Sequence, residues 1–215
     1  MCRFVAVVGR EEFDPAPYVN EVSNMAREGK RSTHGDGWGI WIKNEKMEYL
    51  HKETVPIWER EIERFPKAKV LFVHARKRGK GARIAIENTH PFIWHDSVFM
   101  HNGIIKIEHG ESSGDTDSEA LFMHMMHRGI WNVLCEIEKY EFSSINSVLY
   151  NEGKIYAIRH AKKMEDYYTI FVRKESGRVV LSTEGGGEEI KNKSVVVIHP
   201  DLRVEVLPIC PDMFR

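Results

Sequence analysis

The chain has 215 residues, of which 42% are apolar and 29% are charged, a composition typical of a folded globular protein with a sizeable core. Its 31 basic and 32 acidic residues leave a net charge of −1, which gives no global attraction to nucleic acid or to membranes. The apolar run at residues 4–8 is far too short to span a membrane and lacks the cleavage pattern of a signal peptide, so the sequence predicts a cytoplasmic location.

Strands account for most of the predicted structure. Short apolar runs bounded by glycine, proline or asparagine predict buried strands or the two halves of hairpins. The predicted strands cover residues 4–8, 40–43, 47–51, 70–73, 98–100, 145–150, 155–158, 167–172, 179–182, 195–198 and 202–207. Hairpins favour antiparallel pairing, and neither a linker nor a repeat divides the chain, so the sequence predicts one α+β domain over residues 1–215.

Three segments carry helix signals. Asp14 and Pro15 are suited to cap and begin the first helix. Apolar residues at helical spacing after Pro56 predict the second. Acidic residues in the first turn of the third suit the positive end of the helix dipole. The predicted helices cover residues 15–28, 57–65 and 115–128, and a polar loop at 110–114 precedes the third.

The three cysteines, Cys2, Cys135 and Cys210, lie far apart in the sequence. Disulfide frameworks and zinc sites usually draw on cysteine pairs at close spacing, so neither is predicted. His124 and His127 lie one helical turn apart, but no carboxylate or cysteine at ligand spacing accompanies them, and no metal site is predicted. The basic run at 76–83 predicts a solvated loop or an anion site, because nucleic-acid binding would need a longer basic stripe with exposed aromatic residues.

Cys2 occupies a position where a thiol can carry out chemistry. Removal of Met1, which a small second residue favours, would leave one residue with a nucleophilic thiol and a basic α-amine. The alternative is a structural cysteine buried at the start of an edge strand, since free cysteine is among the most buried residue types. The position by itself leaves both interpretations open.

Two other patterns suit attack on an amide carbonyl. Asn102 and Gly103, at the end of a predicted strand, offer a side-chain amide and a backbone N–H to a developing oxyanion. Arg76 and Asp117 offer a cation and an anion that can bind the α-carboxylate and α-amine of a substrate. Each pattern also has an ordinary interpretation, with residues 102–103 as a turn and Asp117 as a helix cap.

The order of five short motifs carries more information than any of them alone. The motifs are Cys2, His-Ala-Arg at 74–76, Asn-Thr-His-Pro-Phe at 88–92, His-Asn-Gly at 101–103 and Thr-Asp-Ser-Glu at 116–119. In this order they resemble the class II glutamine amidotransferases, which are N-terminal-nucleophile hydrolases. The stretch His-Gly-Asp-Gly-Trp-Gly at 34–39 and the Met-Cys-Arg-Phe start are most similar to the small stand-alone branch of that family.

The resemblance implies a four-layer αββα sandwich of antiparallel sheets, with Cys2 at the end of a central strand. It implies hydrolysis of glutamine or another γ-glutamyl amide through a thioester, with no cofactor and no metal. The implied catalytic residues are Cys2, as nucleophile and through its amine as base, and Asn102 with Gly103 as the oxyanion hole. The implied substrate-binding residues are Arg76 for the α-carboxylate, Asp117 for the α-amine, and His90 in the wall of the pocket.

Two departures from the family pattern leave alternatives open. The run Arg76-Lys77-Arg78-Gly79 lacks a pocket-lining hydroxyl, and Arg3-Phe4 replaces the usual Gly-Ile after the cysteine. The first departure leaves room for a γ-glutamyl peptide or conjugate with a larger, anionic leaving group. A third possibility is a non-catalytic binding module that keeps the fold. Released ammonia would pass to a separate synthase or acceptor subunit, neither nucleic acid nor a membrane is expected as a partner, and the oligomeric state stays open.

Overall fold

The computed structural model of the chain describes residues 2–29, 31–79, 81–108 and 114–212. Met1, Lys80 and residues 110–113 of the predicted polar loop lie outside the described residues. The helices are α1 (Ala16–Arg27), α2 (Asp117–Arg128) and α3 (Ile130–Glu136), with 3₁₀ turns at Ile57–Glu59 and Ile137–Lys139. The strands are β1 (Arg3–Phe13), β2 (Trp38–Lys43), β3 (Glu48–Glu53), β4 (Ala68–Ala75), β5 (Phe92–Trp94), β6 (Ser97–Lys106), β7 (Glu141–Asn151), β8 (Lys154–Arg159), β9 (Phe171–Glu175), β10 (Arg178–Ser182), β11 (Glu188–Glu189), β12 (Ser194–Ile198) and β13 (Val204–Pro208).

The strands form two antiparallel sheets. The first has the order β11-β9-β10-β1-β4-β2-β3, and the second has the order β13-β12-β8-β7-β6-β5. β1 is therefore the middle strand of the first sheet, where it pairs with β10 on one side and with β4 on the other. Three predicted hairpins are present, because β2 pairs with β3, β7 with β8 and β9 with β10. β9 begins at Phe171 rather than at residue 167 as predicted. β12 also pairs with β13.

Alternation of side chains along β1 separates the layers. Phe4, Ala6 and Val8 pack against second-sheet side chains such as Met100 in the core between the two sheets. Val5 points the other way, into the apolar cluster that the first sheet shares with α1. A third cluster joins the outer face of the second sheet to α2 and α3. The layers therefore run helix, sheet, sheet, helix, and the predicted α+β sandwich is confirmed.

The helix predicted over residues 57–65 is wrong. The chain forms a single 3₁₀ turn at Ile57–Glu59, and residues 60–67 have no regular structure. Ile57 is fully buried and Phe65 packs partly on the same cluster, so the apolar spacing is real. Pro66 follows directly and disfavours the helical conformation at Phe65. An extended segment makes the same two apolar contacts without the helix.

The prediction that the cysteines form no disulfide is also wrong. Cys135 in α3 and Cys210, just after β13, are bonded, although 75 residues separate them in the sequence. Leu207 and Ile209 pack on the same apolar cluster as α3, which brings the end of the chain against that helix. Tertiary packing supplies the proximity that cysteine spacing did not show, and it leaves Cys2 as the free thiol.

No helix among the described residues combines the length and the apolar character needed to cross a membrane.

Candidate active site

Cys2 lies directly before β1 and is almost fully buried. Its backbone N–H donates to Oδ1 of Asn102 over 2.7 Å. Its Sγ lies 3.9 Å from the carbonyl oxygen of Lys77, just after β4. Because Asn102 belongs to the second sheet and Lys77 follows a strand of the first, Cys2 lies where the two sheets meet.

Asn102 is a fully buried residue inside β6, rather than at a strand end as predicted, and it pairs with Asn146 of β7. A backbone N–H can only donate, so the group facing Cys2 must be the amide oxygen and not the amide nitrogen. Nδ2 of Asn102 has no hydrogen-bond partner among the described residues. A buried donor without a partner costs about 1–3 kcal/mol. The side chain therefore offers an uncompensated donor beside Cys2.

Gly103 is required by a close backbone approach. A Cβ at this position would lie 1.8 Å from the carbonyl oxygen of Ser144 on β7, so no side chain fits. The pairing register shifts just after it, between Ile104 and Ile105. The shift leaves the N–H of Ile105 free of the ladder, and this N–H donates to Oδ2 of Asp117 over 2.8 Å. The irregular strand thus connects the predicted oxyanion donors to the start of α2.

Asp117 is the first residue of α2, whereas Thr116 caps the helix by accepting from the N–H of Glu119 over 3.2 Å. The alternative that Asp117 serves as the cap is therefore wrong. Its half-buried carboxylate faces the cleft and has no ion-pair partner in the part of the chain that is described. A carboxylate with no cation beside it among those residues is suited to bind an amine.

Arg76 follows the end of β4 and is also buried. Nη1 donates to the carbonyl oxygen of Arg83 over 3.0 Å, and the described residues place no carboxylate in ion-pair contact with it. Burial holds the pKa of Arg76 below its usual value. The guanidinium nevertheless stays charged at neutral pH, because an arginine side chain does not lose its proton in proteins.

The glycine-rich loop before β2 positions the segment that carries Arg76. The N–H of Asp36 donates to the carbonyl oxygen of Arg76 over 3.0 Å, and the N–H of Arg76 donates to Gly37 over 2.8 Å. The Asp36 carboxylate accepts from the N–H of Arg78 over 3.0 Å. Gly37 has a φ of +114°, which favours glycine. The role of Asp36 was not predicted from the sequence, where its place between two glycines is the available signal.

Three histidines lie buried beneath the cleft. The ring of His90 lies 4.1 Å from that of His74, and both ring nitrogens of His90 lack a partner among the described residues. Nδ1 of His101 lies 2.8 Å from the hydroxyl of Ser118. Burial lowers the pKa of His74 to about 3 and that of His90 well below its usual value. These two rings are therefore neutral at pH 7 and contribute shape and hydrogen-bonding groups rather than charge.

A cleft of about 460 Å³ brings the predicted residues together. Those lining it are Cys2, Arg76, His90, Gly103 and Asp117, and Asn102 lies buried behind them in contact with Cys2. A larger groove of about 710 Å³ runs between β9, β11, β12 and β13 and contains none of the predicted residues. Chemistry rather than volume therefore marks the smaller cleft as the candidate active site.

His124 contacts the chain just after β6. The ring of His124 lies 3.2 Å from the carbonyl oxygen of Glu108. Across the described ranges, no three histidine, cysteine, aspartate or glutamate side chains lie close enough together to hold a metal ion.

Comparison with known proteins identifies the family. A family model of class II glutamine amidotransferases matches residues 1–150, about 70% of the chain. The chain belongs to this family. The predicted site residues all lie within the matched range.

One curated relative of this class II amidotransferase is the probable glutamine amidotransferase DUG3 of Saccharomyces cerevisiae. It is 28% identical over 123 residues, which cover 48% of this chain and 34% of the yeast protein. The match therefore spans about a third of the length of that relative.

Solved structures share the fold. Glutamine phosphoribosylpyrophosphate amidotransferase from B. subtilis has a TM-score of 0.70 at 13% identity, covering 97% of this chain and 49% of that chain. A glutamine aminotransferase class-II domain protein from Silicibacter pomeroyi has a TM-score of 0.65 at 15% identity, covering 98% of this chain and 100% of that chain. The shared fold extends beyond residue 150 and includes the strands of the C-terminal third.

Proposed function

We propose that the chain hydrolyses the γ-amide of glutamine, or of a related γ-glutamyl compound, through a thioester on Cys2. The contact that carries this proposal is the 2.7 Å hydrogen bond from the Cys2 nitrogen to Oδ1 of Asn102. This hydrogen bond holds Cys2 and fixes the orientation of the Asn102 amide. Nδ2 of that amide, which has no partner among the described residues, is then a free donor beside Cys2. An enzyme that attacks a carbonyl needs such a donor most when negative charge develops on the oxygen.

The charges of the cleft support a zwitterionic substrate. Arg76 is a buried cation and Asp117 a half-buried anion, and no ion pair to either occurs among the described residues. Desolvated charges are costly unless a partner compensates them. An α-amino acid headgroup brings one carboxylate and one ammonium, which would satisfy both. His90 would support the wall of this pocket as a neutral ring.

The first half of the reaction would form the thioester. Removal of Met1 converts the nitrogen of Cys2 into an α-amine, which takes the thiol proton as sulfur bonds to the amide carbon. The carbonyl electron pair moves to oxygen, where Nδ2 of Asn102 and the N–H of Gly103 would donate to it. The amine then passes its proton to the leaving nitrogen, the C–N bond breaks, and ammonia or an amine departs.

The second half would hydrolyse the thioester. A water molecule attacks the acyl carbon while the α-amine takes one of its protons, and a second oxyanion forms on the same two donors. The carbon–sulfur bond then breaks, the proton returns to sulfur, and glutamate leaves. The enzyme ends in its starting state, so neither oxidant nor cofactor is consumed.

A second candidate substrate is a γ-glutamyl peptide or conjugate. Lys77 and Arg78 line the same cleft, and the carbonyl of Lys77 lies 3.9 Å from the sulfur of Cys2. An acidic leaving portion would meet these two cations, whereas ammonia would not. A γ-glutamyl dipeptide with a free C-terminal carboxylate, compared with its C-terminal amide, tests this candidate. A kcat/KM that does not distinguish the two compounds would remove it.

We further propose a single amidotransferase domain over residues 1–215, a cytoplasmic location, and a separate synthase or acceptor subunit for released ammonia. The bond between Cys135 and Cys210 bears on the location, since thiols are kept reduced in most cytosolic proteins. Alkylation of intact cells before lysis, followed by mass measurement, would show whether the bond exists there. Purification of the native protein under gentle conditions would test for the partner.

The deciding experiment controls the amine directly. The chain is made with a cleavable extension before Cys2, and intact mass and glutamine hydrolysis are measured before and after cleavage. The proposal expects activity only once Cys2 is the first residue, because a peptide bond removes the base. Activity with the extension fully in place would refute the mechanism. Cleaved protein that hydrolyses no γ-glutamyl compound would favour the non-catalytic binding module.

A further inference from the structure

Arg3 is the neighbour of the nucleophile, and the reaction proposed above gives it no role. Its side chain is only 1% exposed, although it carries a full charge. A buried guanidinium is costly unless its charge is paired and its N–H groups find acceptors. The cost of burying this charge calls for a physical explanation.

Three groups surround the Arg3 guanidinium. It forms an ion pair with the carboxylate of Glu184, a residue whose side chain is 22% exposed. Nη1 donates to the hydroxyl of Tyr167 over 3.4 Å, and the guanidinium carbon lies 5.1 Å from the centre of that ring. Nη1 also donates to the carbonyl oxygen of Cys2 over 3.2 Å. The last contact ties the buried charge to the backbone of the nucleophile itself.

The backbone of Cys2 is therefore held at two atoms. Its nitrogen is held by Asn102 from the second sheet, and its carbonyl oxygen by Arg3 from the first. Without a residue in front of it, an N-terminal residue can rotate about its Cα–C bond. Fixing both the nitrogen and the oxygen sets that rotation, and with it the direction in which the Cα–Cβ bond carries sulfur into the cleft.

We propose that Arg3 is a positioning residue, which acts with Asn102 to clamp the backbone of Cys2 so that sulfur and amine face the substrate carbonyl. The proposal rests on the function proposed above. Arg3 itself does not reach the cleft, because its contacts are Cys2, Tyr167 and Glu184. Glu184 and Tyr167 keep the guanidinium in place and compensate its burial in part, since Nε has no hydrogen-bond partner among the described residues. A misplacement of about 1 Å at a reacting group can lower a rate by about 10²-fold.

The first test is the effect of Arg3→Met on kcat and KM separately. Arg3→Met removes the donor, and we expect kcat to fall by about 10- to 100-fold with KM nearly unchanged, because binding groups remain while attack geometry is lost. Arg3→Lys keeps the charge and one donor and should recover part of the loss. The matched control is Arg31→Met. Arg31 lies over the same Tyr167 ring at 5.0 Å but is exposed, pairs with Asp166 and should leave both constants unchanged.

A second readout does not depend on turnover. Cys135 and Cys210 are bonded to each other, so iodoacetamide added to Met1-free protein reports on Cys2. We expect slower alkylation in Arg3→Met than in wild type or in Arg31→Met, because sulfur that is no longer directed into the cleft is less accessible to the reagent. If the wild-type protein is alkylated rapidly but hydrolyses no γ-glutamyl compound, the proposed function is refuted. The comparison of alkylation rates still decides whether Arg3 positions Cys2.

Melting temperature and kinetic constants together test the role of Arg3. Melting temperatures are measured for every variant, and Glu184→Gln serves if Arg3→Met does not fold, since Glu184 is partly exposed and its change keeps residue Arg3 but removes the ion pair that holds its guanidinium. Glu184→Gln should lower kcat less than Arg3→Met, again with KM unchanged. A raised KM with wild-type kcat in Arg3→Met, wild-type kcat in Glu184→Gln, or alkylation of Arg3→Met at the wild-type rate would each overturn the proposal.

Discussion

Asn102 provides the sharpest test of the site, because one amide would perform two tasks. Oδ1 accepts from the nitrogen of Cys2 over 2.7 Å, and Nδ2 is the donor without a described partner. Asn102→Ala removes both. Losing one oxyanion donor costs about 2.7–4 kcal/mol in the transition state, which corresponds to a kcat lower by about 10²–10³. Losing the acceptor frees the amine of Cys2, so we expect a loss at the upper end.

Two further variants separate catalysis from stability. Asn102→Asp keeps the shape and the acceptor but replaces the donor by an anion next to the developing oxyanion, so its kcat should fall at least as far. Asn146→Ala is the matched control. Asn146 lies directly opposite on β7, is equally buried, and also has an Nδ2 without a partner among the described residues, but its Oδ1 accepts from His160 and not from Cys2.

The assay is glutamate release by the Met1-free protein over a range of glutamine concentrations, with thermal unfolding of each variant. Truncating either asparagine removes an acceptor from one buried N–H, which costs about 1–3 kcal/mol of stability. The two alanine variants should therefore unfold similarly, while only Asn102→Ala loses kcat. Equal kcat losses in both would show that packing, and not contact with Cys2, explains the effect. A normal kcat with a raised KM in Asn102→Ala would assign the side chain to ground-state binding.

Three other outcomes are expected. Cys2→Ala should abolish turnover with little change in melting temperature, and a large loss of stability instead would favour the structural-cysteine interpretation. Asp117→Ala and Arg76→Ala should each lower kcat/KM at least about tenfold, as loss of a charge-assisted contact implies. Removing the α-amine of glutamine should harm wild type strongly and Asp117→Ala little, and simple addition of the two losses would show that Asp117 does not bind the amine. Burial lowers the pKa of His34 and of His74 to about 3, whereas both histidines take up a proton near pH 6.5 in the unfolded chain. The free energy of unfolding should therefore decrease as the pH falls from 6.5 towards 3, by up to about 1.4 kcal/mol per pH unit for each histidine. A melting temperature that stays constant over this range would contradict the neutral burial of both histidines.

Local signals in the sequence predicted elements whose cause is itself local. The continuous apolar run at 4–8 predicted a buried strand, which is part of β1, and Asp14 with Pro15 identified the start of α1 to within one residue. Asp14 accepts from the N–H of Ala16 over 3.0 Å, but the cap residue of α1 is Pro15 and not Asp14 as predicted. At these positions the side chain contacts backbone groups within a few residues of itself. The sequence pattern can therefore predict the local structure without knowledge of the tertiary fold.

Periodicity failed where the neighbouring layers determine the conformation. Apolar spacing at 57–65 predicted a helix. Only Ile57 and part of Phe65 pack on the apolar cluster of the first sheet, and Pro66 disfavours the helical conformation at Phe65. Helix α3 was missed because its seven residues, Ile130–Glu136, are short and follow α2 after a single glycine. Its stability comes from packing on the second sheet and α2, a contact that no local pattern reveals.

The residues of the candidate site could be named from the order of the motifs, but their arrangement could not. Cys2 and Asn102 are 100 residues apart and contact each other because the start of β1 meets the middle of β6 across the two sheets. The Nδ2 donor of Asn102, which has no partner among the described residues, the neutral state of His74 and the contact of Arg3 with the Cys2 carbonyl each follow from burial and long-range contacts. The sequence determined which chemical groups are available. Only the tertiary structure decided which of them are desolvated, which are paired and which face the cleft, because those properties depend on neighbours far away along the chain.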